Sequence, residues 1–276
     1  MFAKFLNYAR LVIEFKILAP YFVLLKRLYA RIDRKSDHDN LMVNLGGGYF
    51  YRRHWTNLDY RSSHYQHNLG LIDRNFDLTS GQPLPFRDGS VKLFYSSHTL
   101  EHIPDEFCQH ILKEMYRCLK PGGMARLTMP DFDVIYERYS QGIVGDPHRF
   151  ATPTDELLNC FATALMGLYP DEKVNQDFLS MTKEEFADYY ISLAPPDSQA
   201  RNRGNHVNWW NGDKLRRYLE KAGFREVYRS VPGQSRAPEM RHDGSFAGLE
   251  KLFTFAQVRG FDKVHPETSV FVEAVK

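Results

Sequence analysis

"LMVNLGGGYFYRRHWTNLDY", residues 41–60, decides the fold reading. An apolar, strand-like run containing Asn44 enters Gly46, Gly47 and Gly48, and a second strand-like run, "HWTNLDY", carries Asp59 near its end. Glycines after a buried strand leave backbone N–H groups unshielded by Cβ at the carboxyl edge of a sheet, where open α/β sheets take their ligands. An acid at the end of the following strand is positioned to accept hydrogen bonds from the two hydroxyls of a ribose. A glycine run alone is equally a plain turn. A dinucleotide fingerprint needs G-x-G-x-x-G and an acid roughly 20 residues on. Phe50 or Tyr51 fills the neighbourhood of the third glycine and Asp59 comes too early, so NAD is the second-ranked cofactor.

Outward from this stretch, strand-like and helix-like segments alternate, which predicts a largely parallel sheet covered by helices. "NFDLT" reads as a third strand, "SVKLFYSSH" as a fourth, "MARLTMPD" as a fifth, and "REVYRSV" and "SVFVEAV" as two more near the end. Between the fourth and fifth, "PDEFCQHILKEMYRCLKPGG" has Pro104 at the helix start, Asp105 and Glu106 in the first turn and an apolar stripe of Ile111, Leu112, Met115 and Leu119. Lys120, Pro121, Gly122 and Gly123 end that helix. "DFDVIYERYSQG" and "NGDKLRRYLEKAGF" are further helices, the latter closed by Gly223.

Composition bounds the function classes. The 276 residues are 43% hydrophobic and 25% charged, with a net charge of +2, ordinary for a globular chain and without the basic field of a dedicated nucleic-acid binder. Cys108, Cys118 and Cys160 lack metal-ligand spacing and read as reduced thiols of a cytoplasmic protein. Residues 1–38 form a basic and apolar extension in which Glu14, Lys16 and Pro20 interrupt every window long enough to span a bilayer. It reads as amphipathic helices broken near Pro20, packing on the domain or on a second subunit or lying peripherally on the inner membrane face.

Four stretches together, "VNLGGG" with "NLD", "FDLTSGQPLPFRDGSV", "FYSSHTLEHI" and "LKEMYRCLKPGGMARLTMPDF", resemble the class I S-adenosylmethionine-dependent methyltransferases, and within them small proteins linked to surface polysaccharide and sugar modification. The resemblance runs from Leu41 to Asp131 and resumes at "HVNWWNGDKLRRYLEKAGF" and "SVFVEAVK". It implies an α/β Rossmann-like fold with a mostly parallel seven-stranded sheet over residues 39–276, an N-terminal helical extension, and an inserted lid at about 143–210. It also implies S-adenosylmethionine as cofactor and O-methylation of a sugar, glycan or related polar metabolite. A non-catalytic scaffold and a methyltransferase acting on nucleic acid are the alternatives.

By the same resemblance, Gly46 and Gly48, with the backbone of Gly47, pass under the methionine part of the cofactor, Asn44 belongs to the same cofactor-binding set, and Asp59 holds the ribose. Asp77 and Leu78 flank the adenine, and Ser96 and Ser97 stand beside the sulfonium. The span from Gly48 to Asp59 is too short for the usual crossover helix, which makes Arg52 or Arg53, in a linker with His54 and Trp55, candidates for the cofactor carboxylate.

Methyl transfer to a hydroxyl is an in-line displacement that needs alignment and a base. One helical turn after the fourth strand puts His98, Glu101 and His102 of "SSHTLEH" on one side. Such a set serves as a His–Glu base pair or, as the weaker assignment, as part of a divalent metal site. In the ubiquinone-pathway and small-RNA O-methyltransferases the equivalent turn reads Glu-x-x-Glu-His and binds a metal; His98 replaces the first acid here. His206, before "NWWNGDKL", is the fourth catalytic candidate. In the lid, His148, Tyr169, Arg203 and Trp209 are candidate substrate contacts. The tail offers Arg236, His242 and His265 without a sharp role.

Overall fold

The computed structural model describes residues 19–32, 41–48, 50, 52, 54–62, 70–241, 261–262 and 265–276. Arg53, His242 and most of the N-terminal extension fall outside them. The strands are β1 (Leu41–Leu45), β2 (Trp55–Asp59), β3 (Arg74–Asn75), β4 (Val91–Ser97), β5 (Leu119–Pro130), β6 (Glu226–Arg229) and β7 (Ser269–Val275). They form one seven-stranded sheet in the order β3-β2-β1-β4-β5-β7-β6. The first five strands run parallel, while β7 lies antiparallel between β5 and β6. This is the mostly parallel Rossmann-like sheet of the sequence reading. The chain leaves β1 toward β2 on one side and re-enters at β4 on the other, so the switch point lies between Leu45 and Ser96, which are in register.

The third strand is shorter than "NFDLT". Asp77 accepts hydrogen bonds from Thr79 N (2.9 Å) and Thr79 Oγ1 (2.7 Å), an aspartate turn that bends the chain out of the sheet two residues after β3 ends. At the other end of the chain, helix α1 (Ala19–Ile32) includes Pro20. Lys26 Nζ donates to Leu71 O (2.6 Å) and pairs with Asp73 Oδ1 (2.7 Å), and Asp73 Oδ2 accepts from Asn57 N (2.8 Å). These bonds dock the helix on the β2–β3 edge. Among the described residues no helix is long and apolar enough to cross a membrane.

On one sheet face α2 (Asp105–Cys118) and the last helix, α8 (Gly212–Ala222), bury the main core, including Leu45, Leu58, Phe94, Leu112, Met115, Leu127 and Trp210. The motif "LPFRDGSV" is a strap across this core: Leu84 and Phe86 are buried, and Arg117 of α2 donates to Leu84 O (3.1 Å) and Phe86 O (3.0 Å). Glu114, one turn earlier, accepts from Leu84 N (2.8 Å). Among the described residues, no α-helix packs over Tyr95 on the opposite face. Phe50, Trp55, Tyr95, Met240 and Phe261 pack there instead. Beside them Arg126 of β5, fully buried, pairs with Asp262 (2.5 Å) and Glu273 (2.7 Å). The tail residues Phe261 and Asp262 thus cover the face beside the short Gly48–Trp55 linker.

Helix α3 (Phe132–Ser140) leads from β5 into α4 (Pro153–Phe161), α5 (Asp171–Ser180), α6 (Lys183–Leu193) and α7 (Ser198–Arg201). Helices α3 to α6 share a separate core that includes Phe132, Leu157, Phe161, Phe186, Tyr190 and Trp209. This helical unit stands at the carboxyl edge of the sheet, where β5 hands over to α3.

Candidate active site

The three glycines differ in what surrounds them. Gly46 has φ +68°, and a Cβ there would lie 2.2 Å from Thr99 Oγ1, so only glycine lets the β1 turn close on the β4 turn. Gly48, at φ +50°, would put a Cβ into open space. Its N–H donates to Asp59 Oδ2 (2.8 Å), and Tyr60 N–H donates to Oδ1 (2.7 Å). Burial pushes the Asp59 pKa up, against the pull of those two bonds. Each carboxylate oxygen keeps a lone pair for a further donor. The open side of Gly48 and the half-buried acid beside it fit a nucleoside at the switch point.

The other expected cofactor residues separate into two groups. Asn44 donates to Asn57 Oδ1 (3.3 Å) and Ser96 Oγ to Leu45 O (3.0 Å), so both fasten neighbouring strands. Leu78 is buried in the main core. The Ser97 hydroxyl is buried and lacks a well-directed partner among the described residues. Asp77 keeps Oδ2 toward the edge, 3.7 Å from Arg203 Nη2. Arg52 lies 4.9 Å over the Phe261 ring, and Trp55 packs in the same aromatic cluster.

The "SSHTLEH" residues do come together, through a tighter turn than an α-helix. Leu100–His102 form a 3-10 turn, and His98 before it takes the left-handed conformation at φ +51°. His98 Nδ1 is 3.2 Å from Glu101 Oε1, and its Nε2 is 3.0 Å from Ser269 Oγ. Glu101 is 1% exposed. The His98 approach is oblique, and neither Glu101 oxygen has a well-directed hydrogen bond among the described residues. Burial raises the Glu101 pKa, but His98, His102 and His206 together outweigh it and hold the group well below the usual carboxylate range.

Val207 N donates to Glu101 O (2.8 Å), which carries His206 into the cluster. The His102 and His206 rings stand 4.7 Å apart, edge to face. His102 Nδ1 lies 3.1 Å from Asn205 O and His206 Nδ1 lies 3.1 Å from Cys160 O. A carbonyl only accepts, so both rings carry hydrogen on Nδ1. Burial, helped by His102 and His98, lowers His206 to about 4 against the pull of Glu101, so it is neutral at pH 7.

These side chains line a cavity of about 430 Å³ between the sheet edge and the helical unit. Arg138, Asp146, Arg149, Glu156, Asn159, Glu267 and Thr268 make its walls polar, with Ile135 and Phe150 as apolar patches. His265 joins the wall, its ring 5.9 Å from that of His98. Of the lid candidates, His206 alone is a wall residue. His148 is exposed, Tyr169 packs on Tyr190, and buried Trp209 donates to Asp188 Oδ1 (2.7 Å). Arg203 stands beside Tyr60 and Asp77 instead. Arg236 sits over Tyr228. The wall arginines and Ser269 escaped the sequence reading, since they bear no motif and Ser269 lies 171 residues from His98.

Residues 54–127 match the family model described as a methyltransferase domain. An uncharacterized methyltransferase of Mycobacterium sp. (strain KMS) is 47% identical over 49 residues, 18% of this chain and 19% of that protein. The ubiquinone/menaquinone biosynthesis C-methyltransferase UbiE of Pseudoalteromonas translucida is 27% identical over 41% of this chain and 47% of its own length. The matched region spans less than half of these relatives. A crystal structure of a SAM-dependent methyltransferase from Archaeoglobus fulgidus aligns at 12% identity and a TM-score of 0.43, covering 98% of this chain and 99% of that one.

Proposed function

We propose that this chain is an S-adenosylmethionine-dependent methyltransferase that methylates a hydroxyl of a sugar, glycan or related polar metabolite. The observation that carries the reading is the adjacency of two sites at the switch point: the open Gly48–Asp59 edge, and beyond Thr99 a polar cavity walled by His98 and Glu101. The match of residues 54–127 to a methyltransferase domain supports it. Gly46, Gly47, Gly48, Asp59 and Asp77 would hold the cofactor, whose sulfonium supplies the methyl group.

The chain's own residues supply alignment and a place for the proton. The Glu101 carboxylate, 3.2 Å from His98 Nδ1, balances the charge of the imidazolium that forms when Nε2 acts as the base. In this structure Ser269 Oγ sits on Nε2. That hydroxyl donates to His265 O (2.8 Å) and marks the place of an acceptor hydroxyl. Walls with acids, arginines and an asparagine suit a ligand dense in hydroxyls better than an apolar ring. The same cavity supports reading residues 39–276 as the catalytic unit, with about 143–210 as its lid.

Calorimetry with S-adenosylhomocysteine tests the cofactor, and no binding at millimolar ligand would falsify the enzyme reading. Mass-spectrometric screening of methyl transfer to a panel of sugars, nucleotide sugars and aromatic hydroxyls tests the acceptor; exclusive transfer to apolar aromatics overturns the sugar assignment.

A second reading of the same wall rests on a separate observation. Glu101, His102 and His206 each offer a ligating atom within 4.8 Å of one another. Both histidines donate Nδ1–H to a carbonyl, the arrangement that orients metal-ligating imidazoles. A divalent ion there would polarise the acceptor hydroxyl. Cobalt titration tests it: ligand-field bands that His206→Asn abolishes support the ion, and their absence in the wild type leaves the base reading alone.

A further inference from the structure

Arg203 is the one lid candidate that reaches the cofactor edge of the sheet. It follows α7, and its Nη1 donates to Gln199 Oε1 at 2.8 Å, which anchors the side chain to that short helix. The guanidinium lies 4.8 Å over the Tyr60 ring and 3.7 Å from Asp77 Oδ2. Tyr60 directly follows Asp59 at the end of β2, and Asp77 stands two residues past β3. A nucleoside held by Asp59, as in the function proposed above, would lie beside these two residues. The arginine therefore spans the mouth of the slot from outside, on a segment that belongs to neither strand.

The contacts are of a releasable kind. At 3.7 Å the ion pair is longer than a charge-assisted hydrogen bond, and both side chains are about a quarter exposed, at 24% and 28%. The Asp77 oxygen that faces Arg203 is the one not used by Thr79, so an incoming amino group and the guanidinium compete for the same acceptor.

We propose that Arg203 is a gate on the cofactor slot, held shut by the Asp77 carboxylate and the Tyr60 ring. The gate rests on the reading of this slot as a nucleoside site. When it opens, Arg203 releases Asp77 and moves with α7, so cofactor entry is coupled to the helical unit that walls the acceptor cavity.

Surface plasmon resonance of S-adenosylhomocysteine on the immobilised full chain tests this. Arg203→Ala and Tyr60→Leu each remove one side of the latch and should raise the association rate constant about threefold to tenfold, the range expected for losing a part-exposed ion pair or cation–π contact. Raising salt should speed association to the wild type, because screening weakens the Arg203–Asp77 pair, and should leave Arg203→Ala unchanged. Association rates equal in all three proteins, with binding retained, overturn the gate alone. Absence of binding to the folded wild type overturns the cofactor reading and the gate with it. A rise confined to the dissociation rate also overturns the gate, since it would mark Arg203 as a contact of the bound state only.

Discussion

Replacing Asp59 by asparagine tests the cofactor edge with the least change in shape. The carboxylate accepts Gly48 N–H at 2.8 Å and Tyr60 N–H at 2.7 Å, one on each oxygen. Asparagine keeps one of these acceptors and turns an NH₂ toward the other N–H, so one charge-assisted bond becomes a clash of donors. Such a bond contributes about 1.5–3 kcal/mol. Burial works the other way, since it already raises the Asp59 pKa and a neutral amide escapes that cost. The net loss of unfolding free energy should therefore sit near the lower end, about 1.5 kcal/mol. The loss in ligand affinity should be larger, because a ribose hydroxyl then meets an amide where it met a charge; about 1.5–3 kcal/mol corresponds to roughly 10- to 150-fold in Kd. Urea unfolding measures the first quantity and calorimetry with S-adenosylhomocysteine the second. A folded Asp59→Asn protein that binds the ligand as tightly as the wild type would refute the assignment of Asp59 to the ribose.

His206 should make the protein acid-sensitive: its pKa falls from 6.5 unfolded to about 4 folded, so the unfolded chain takes the proton first and stability drops as pH falls through that window. The loss is on the order of 3 kcal/mol, and His206→Asn should flatten the profile of denaturation midpoints between those pH values; an unchanged profile contradicts the burial argument. Gly46→Ala meets Thr99 Oγ1 at 2.2 Å in a left-handed conformation; thermal melts should show destabilisation by more than about 1 kcal/mol, partly restored by adding Thr99→Ala, which removes that oxygen. Arg126→Leu leaves Asp262 and Glu273 buried without their cation, and chemical denaturation should show a loss of about 3–5 kcal/mol.

Local signals made the sheet legible. Apolar runs bounded by turns placed the long strands, and Pro104, Asn211 and Gly223 placed the ends of α2 and α8. The third strand was overread because an aspartate turn at Asp77 beats the β-propensity of its apolar neighbours. At the site, "SSHTLEH" was readable because its three groups are close in sequence. The meaning of "LPFRDGSV" was not: its partners Glu114 and Arg117 lie on the next helix, and the motif proves to brace the core. Arg203 looked like an acceptor contact because it lies in the lid, and only the chain path shows that α7 ends over Tyr60 and Asp77.

The place of β7 in the sheet has a consequence for biosynthesis. Among the described residues β6 pairs with no strand but β7, and the far edge of β5 pairs with β7 as well. While residues 269–275 are still unmade, a nascent chain holds β5 with an open edge and β6 with no seat. The half of the sheet bearing Gly46–Asp59 can pair earlier, from β3 to β5. During translation the nucleoside edge should therefore take shape before the wall formed by His265 to Ser269, and the exposed β5 edge is the stretch that a chaperone would need to shield.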